Sequence, residues 1–388
     1  MYATRPLSQY QRSPESLSLP PEGPNSGYLV IQDYETETTC CFGFCRSIPY
    51  LTDLPFPQNK DLTVKYSSGV GENKSDYSDD AIFIPVLNQP LSSNRYYVIE
   101  PHGSHKGEAY ASSTEEDMTP CCFSKRLKRL NDVPPRPLNP NDMYNQFEIS
   151  RTTASSSGLF TAKSVTPDGF PPNFLSRRGW KISATTPRTY ELGEALGVNT
   201  ALRARLPDFD SPLVVGKWYC PFMFVKDGNL GDQMKRSLFY EVTLERRWEK
   251  IFSCENAFST QGNSVSVETE VQREVVVVGG REVVWDENRA DDGVVWFRGV
   301  GGGEEVNIGL SSLVVDRMKW EAERGGWAVG GKRKVMVNRT EEFGGTGAGW
   351  SKFCCYVLVE RFVLKRMDGS LALIYDFKHT DEIRSKWE

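Results

Sequence analysis

Three histidines, His102, His105 and His379, are all that the 388-residue chain offers for imidazole chemistry, so general acid–base catalysis by histidine has few candidates. Two of them stand close together in His102-Gly103-Ser104-His105. Joined by Cys121 and Cys122, they would present two nitrogen and two sulfur ligands to zinc. Structural zinc sites, however, usually separate their cysteines by about two to four residues, and neighbouring thiolates fit one metal poorly. The spacing therefore predicts a polar loop, with no metal and no other cofactor. The densest thiol cluster is Cys40-Cys41-Phe42-Gly43-Phe44-Cys45, where Gly43 permits a turn that gathers Cys40, Cys41 and Cys45. Without a fourth ligand these read as buried thiols acting as small apolar groups, and a nucleophilic thiol is the alternative.

Carboxylates are plentiful, and the runs Asp79-Asp80, Glu115-Glu116-Asp117 and Asp291-Asp292 sit in polar stretches that read as solvated loops. Spacing alone does not promote them to a glycosidase pair or a metal site. The tracts Gly299–Gly303 and Gly344–Gly349 lack the Lys-Ser or Lys-Thr that would complete a phosphate loop, so they read as flexible connections. Neither a Gly-x-Ser-x-Gly elbow nor a His-Glu-x-x-His pair occurs.

Two segments suggest lipid. In Cys121-Cys122-Phe123-Ser124-Lys125-Arg126-Leu127-Lys128-Arg129-Leu130 two acylatable thiols adjoin four cations. Acyl chains plus a basic cluster are the two signals that stable anchoring requires. The bland alternative is a solvated loop. The second is Val265 to Val278, where Val265, Val267, Thr269, Val271, Val275 and Val277 alternate with Ser266, Glu268, Glu270, Gln272 and Glu274. That is the pattern of a half-buried antiparallel strand. It is also what a β-barrel pore needs, with Glu268, Glu270 and Glu274 facing the lumen.

The elements that must position these groups are mostly strands. Pro-, Ser- and Asn-rich stretches at 13–26 and 131–142 read as a leader and a long loop. Short apolar runs, Tyr28–Ile31, Ala81–Leu87 and Tyr96–Ile99, read as a modest sheet between them. Apolar residues at three-to-four spacing predict helices over Asp142–Ile149, Pro172–Arg178 and Glu191–Leu206. From Gly216 onward long β runs follow, including Ser237–Phe252, Val265–Val278, Phe353–Met367 and Leu371–Phe377. Gly279-Gly280 and Asp368-Gly369 supply hairpin turns, the latter read as a two-residue type I′ turn that sets Val363 and Leu364 opposite Leu373 and Ile374. Leu310–Arg324 reads as a helix ended by Gly325-Gly326.

Composition bounds the function. Forty-six basic against 51 acidic residues leave a net charge of -5, with neither half positive, so no nucleic-acid partner is expected. The amino terminus lacks the apolar core of a secretory signal, which predicts an intracellular chain with reduced thiols.

Several strings fall together in one order: Tyr2 to Pro6, LSLPPEGPNSGYLVIQD at 17–33, SNRYYVIEPHGSHKGEA at 93–109, DGFPPNFLSRRGW at 168–180, GKWYCPFMFVKDG at 216–228, RMKWEAERGGW at 317–327 and the run from Lys352 to Glu388. Over nearly its whole length the chain resembles the plant-specific family catalogued as domain of unknown function 1262. The resemblance implies a plant source and a single architecture, and carries no catalytic residues with it.

The fold expected is α+β and predominantly antiparallel β: an extended leader over 1–26, a loop-rich α+β part over 27–210, and a β-sandwich over 211–388 on which it packs. The function expected is that of a non-enzymatic cytoplasmic binding or scaffold protein, its partner a protein or a small molecule, with peripheral membrane contact through Cys121, Cys122, Lys125, Arg126, Lys128 and Arg129. The rivals are a hydrolase or transferase using carboxylates or a thiol, and a membrane-associated or pore-forming defence protein.

Overall fold

A computed structural model describes residues 1–36, 50–68, 75–121, 124–152, 158–177, 179–256, 262–283, 290–291, 293–299, 306–328, 330, 332–345 and 349–388. Antiparallel strands dominate, as expected, and helices are few and short. The chain divides into two units.

The first unit holds Met1–Ala195 with Pro221–Met223 and Asn229–Leu238. Its strands are β1 (Tyr2–Pro6), β2 (Gly27–Ile31), β3 (Tyr50–Leu51), β4 (Asp61–Ser68), β5 (Ser75–Asp80), β6 (Ile82–Pro85), β7 (Arg95–Ile99), β8 (Met118–Cys121), β9 (Ser124–Leu130), β10 (Gln146–Arg151), β11 (Phe160–Ser164) and β12 (Lys181–Thr185). Two four-stranded sheets, ordered β11-β10-β7-β6 and β3-β12-β4-β5, contribute to one core. Leu62 and Val64 of β4, Tyr96 and Val98 of β7, Phe147 and Ile149 of β10, and Ile182 and Ala184 of β12 all enter it at alternate positions, which is the period of a pleated strand. Phe56 lies at its centre, 5.2 Å from the Phe83 ring and 5.0 Å from Phe160, both edge-on.

Two of the expected segments differ in this unit. Residues 1–26 are not an extended leader: β1 pairs in parallel with β2, the buried Tyr2 donates to the Pro85 carbonyl, and Leu7–Arg12 is a helix. Asp142–Ile149 is not a helix. Asp142 caps a single 3₁₀ turn by accepting from the Tyr144 N–H, and the chain then enters β10, where Phe147 and Ile149 find a half-built apolar layer.

The second unit holds Leu196–Cys220, Phe224–Gly228 and Phe239–Glu388. Its strands are β13 (Gly197–Val198), β14 (Leu213–Pro221), β15 (Val225–Lys226), β16 (Phe239–Glu255), β17 (Ser264–Gln272), β18 (Glu274–Val278), β19 (Arg281–Val283), β20 (Ala290–Asp291), β21 (Val294–Gly299), β22 (Val306–Ser311), β23 (Lys334–Glu342), β24 (Lys352–Arg366) and β25 (Leu371–Trp387). The order β19-β18-β25-β24-β16-β14 places the long β24 between two other long strands. Its side chains are buried on both faces from Val357 to Glu360, which explains an apolar run without alternation.

The helix Ser312–Arg324 appears where expected, and Gly325 and Gly326 follow it. Glu191–Leu206, by contrast, is helical only over Thr200–Arg203. Gly197 at φ +87° interrupts any earlier start, and Asn199 caps the short helix by accepting from the Leu202 N–H. Val265–Val278 is two strands, not one. β17 pairs with β23 and β18 with β25, and the break falls at Arg273, whose guanidinium donates to the Ala328 and Gly330 carbonyls. Beyond the break Val276 and Val278 are the most buried, so the parity expected for Val275 and Val277 is shifted by one. Glu274 therefore lies outside the ribbon, where Tyr375 Oη donates to it at 2.5 Å.

The register across the Asp368-Gly369 turn is as expected, Val363 opposite Ile374 and Leu364 opposite Leu373. The turn itself differs. The Gly369 N–H donates to Arg366 O and the Arg366 N–H to Ser370 O, so the loop has three residues and only Gly369, at φ +83°, is left-handed. This is a type I turn followed by a glycine bulge, and the register shift between Leu364 and Lys365 absorbs the extra residue.

Candidate binding cleft

A cleft of about 710 Å³ opens in the first unit. Its floor follows from the alternation of β4: Leu62 and Val64 point into the core, which leaves Asp61 and Thr63 on the other face. Directly opposed residues of an antiparallel pair share a face. Asp61 opposes Thr185 of β12 and Thr63 opposes Asp80 of β5, so four polar side chains converge. Pro101, His102 and Lys106 after β7, the segment Thr185–Tyr190, and Met234, Lys235 and Leu238 complete the lining.

Within the cleft, Thr63 Oγ1 donates to Asp80 Oδ1 at 2.7 Å, and His102 Nε2 lies 3.4 Å from Asp80 Oδ2. Lys60 Nζ donates to Thr186 Oγ1 at 3.1 Å. Tyr190 donates to the Gln58 carbonyl at 3.1 Å, and its burial pushes the phenol upward. The Asp61 side chain accepts no hydrogen bond among the described residues. Partial burial, with the Asp80 charge in support, raises its carboxyl above the ordinary range, against a smaller opposing pull from His102.

The pair His102 and His105 does not converge on one ion. His105 Nδ1 turns to Glu108 at 2.7 Å while His102 faces Asp80. Among the described residues no group of three or more His, Cys, Asp or Glu could hold a metal. Cys40, Cys41, Cys45 and Cys122 lie outside the described residues. Cys121 is placed by its backbone at the end of β8, opposite Ser124, and the basic run is the strand β9, not a loop: Lys128 opposes Pro120 and Arg129 opposes Thr119, with Lys125 and Arg126 on the same strand. Asp79 and Asp80, read as a solvated loop, belong to β5, and Asp80 lines the cleft. Among the described thiols, burial pushes Cys220 up to about 12 and also raises Cys254 and Cys355. Such thiols are poor nucleophiles.

The second unit concentrates charge differently. Arg203 forks onto Glu360, Nε to Oε1 at 2.9 Å and Nη2 to Oε2 at 2.6 Å, while Nη1 reaches Glu321 at 3.2 Å. Arg317 holds Glu321 at 2.5 Å, Arg246 Nε is 3.5 Å from Glu360, and His379 Nε2 lies 3.7 Å from it, too far for a hydrogen bond. Every one of these six side chains is at least nine-tenths buried. Burial alone would raise the Glu360 carboxyl, but His379 and Arg203 outweigh it and hold it below the ordinary range. Burial would likewise lower Arg203, and Glu360 and Glu321 reverse the sign. Both carboxylates are thus committed to guanidinium groups, which suits structure and not acid–base work.

Comparison with known proteins adds the following. The family described as Protein of unknown function (DUF1262) matches residues 22–123. No curated protein matches the chain. The structure described as the crystal structure of Cry35Ab1 is similar at a TM-score of 0.46 and 12% identity, over 86% of this chain and 90% of that one. At that distance nothing of its activity transfers to this chain.

Proposed function

We propose that this is a non-enzymatic intracellular binding protein of plant origin, whose ligand is a small polar molecule seated in the cleft of the first unit. The observation that carries the reading is the cleft itself. Its volume of about 710 Å³ falls in the range of small-molecule sites, and side chains of both charge signs line it. An enzymatic reading through a thiol would want a cysteine within reach of His102, and no described cysteine lines the cleft. Ligand-observed NMR of the full chain against a library of small polar metabolites tests it. Binding that Thr186→Trp abolishes, without lowering the melting temperature, supports the site. A library with no binder that Thr186→Trp displaces removes it.

A second reading rests on β17 and β23. They form a ribbon of nine residue pairs that, among the described residues, pairs with no third strand, with Val265, Val267, Val271 and Val337 packed against Phe353, Cys355 and Trp350. Ser266, Glu268 and Glu270 face solvent. This contact is the sandwich element we assign to the unit, and nine residues is close to the length of a strand that crosses a bilayer. If the ribbon enters membranes, the protein releases dye from anionic vesicles and Val267→Lys stops it. Absence of release with the native chain ends this reading. We assign peripheral membrane contact to acylation of Cys121 and Cys122 beside the β9 cations. Unchanged fractionation of the Cys121→Ser, Cys122→Ser double variant would refute that assignment.

A further inference from the structure

We infer that the cleft takes a phosphate monoester carried on a small polyol, an assignment that rests on the binding reading above. The lining holds four cations, Lys60, Lys106, Arg188 and Lys235, against the two carboxylates Asp61 and Asp80. Their engagement is uneven. Lys235 leans on Asp232 at 3.5 Å and Lys60 on Thr186, whereas the half-buried Lys106 and the exposed Arg188 make no ion pair among the described residues. Two cations left without a carboxylate in a concave site call for an anion. A monoester phosphate suits them, because its charge approaches two and its oxygens accept from both ammonium and guanidinium donors. Asp61 requires the rest of the ligand. Its carboxylate accepts no hydrogen bond among the described residues and shares the cleft with Asp80. Both anions are at ease only beside donors, and the hydroxyls of a polyol are donors without charge. A bare phosphate would meet repulsion there, and a neutral sugar would leave Lys106 and Arg188 unanswered.

Soluble sugar phosphates and phosphoinositide headgroups share this chemistry, so the experiment carries an arm for each. Calorimetry of the full chain is run with inorganic phosphate, glycerol phosphate, inositol monophosphate and unphosphorylated inositol. Cosedimentation is run with phosphatidylcholine vesicles with and without phosphatidylinositol phosphate. The expected result is that inositol monophosphate binds more tightly than inositol, with affinity falling as salt rises. Lys106→Ala and Arg188→Ala should each weaken it about tenfold or more. Asp61→Asn should weaken inositol monophosphate and strengthen inorganic phosphate, whose repulsion it relieves. Capture only by the phosphoinositide vesicles assigns the phosphate to a lipid headgroup and keeps its chemistry. Inositol binding as tightly as its monophosphate, or phosphate binding indifferent to Lys106→Ala and Arg188→Ala, overturns the inference. If other molecules are displaced from the cleft by Thr186→Trp while no phosphate binds, the ligand class is wrong and the site stands. If nothing is displaced, both fall.

Discussion

The cleft of the first unit and the ionic cluster of the second use the same residue types to opposite ends. Asp61, Asp80, Lys106 and Arg188 stand at a concave surface with part of their charge unmatched. Arg203, Arg246, Arg317, Glu321 and Glu360 are sealed from solvent, and each carboxylate is held by at least one guanidinium. Charge that is matched inside a fold orders the fold, whereas charge left unmatched at a cavity selects what enters.

The largest effect should come from breaking the buried set. Arg246 of β16 directly opposes Glu360 of β24, and His379 sits at the bulge of β25, where Leu358 pairs with it while Val357 pairs with Ile383. Glu360→Gln removes the charge and leaves Arg203 and Arg246 buried beside a neutral group, which should cost about 3–5 kcal/mol. Urea unfolding measures it, and a loss under about 1 kcal/mol would mean the cluster is wet. The same carboxyl sets an acid limit. Its folded value lies below the unfolded one, so its contribution is present above about pH 4.3 and is lost as pH falls through the folded value. The acid slope of stability should flatten in Glu360→Gln.

A smaller loss should follow from Gly369→Val. Its φ of +83° strains any β-branched residue, at a cost of about 1–3 kcal/mol. The turn matters to the cluster because it fixes the β24–β25 register on which Glu360 and His379 ride. Asp368→Ala gives the milder control: it removes the carboxylate that accepts from the Ser370 N–H at 2.8 Å, worth about 0.5–1.5 kcal/mol. Thermal melts in which the two variants coincide would remove the left-handed requirement at Gly369.

How far these features are legible in the sequence depends on whether their signal is local. The β24–β25 register is read correctly from alternating runs around a glycine turn, although the loop is one residue longer because Met367 joins it. The break at Arg273 is invisible, since Val275 to Val278 are apolar in either parity and the choice between them lies in distant partners, the Ala328 and Gly330 carbonyls at the break and β25 beside β18. Glu360 is a charge amid an apolar run, which is a signal of a buried pair, but its partners are 157 and 114 residues away at Arg203 and Arg246. The cleft draws on five separated stretches of chain. Of its lining, His102 is named in advance for a zinc site with His105 and Asp80 as part of a solvated loop, and the fold brings His102 and Asp80 together instead.

The smallest effect is expected in the cleft, and its sign is what makes it informative. The folded Asp61 carboxyl titrates above its unfolded value, so ionising it disfavours the folded state, and the penalty is present at neutral pH and relieved as pH falls through the raised value. Asp61 is only partly buried and keeps much of its surface in solvent, which screens most of that penalty. Asp61→Asn should therefore raise stability near neutrality by less than about 0.5 kcal/mol, against a loss several times larger for Glu360→Gln. A residue kept at a cost to stability is what a binding site contains and what a structural cluster does not. Urea midpoints for Asp61→Asn at neutral and acid pH read the difference directly. A midpoint lowered by the substitution at neutral pH would show that Asp61 supports the fold, and would erase the contrast between the two units.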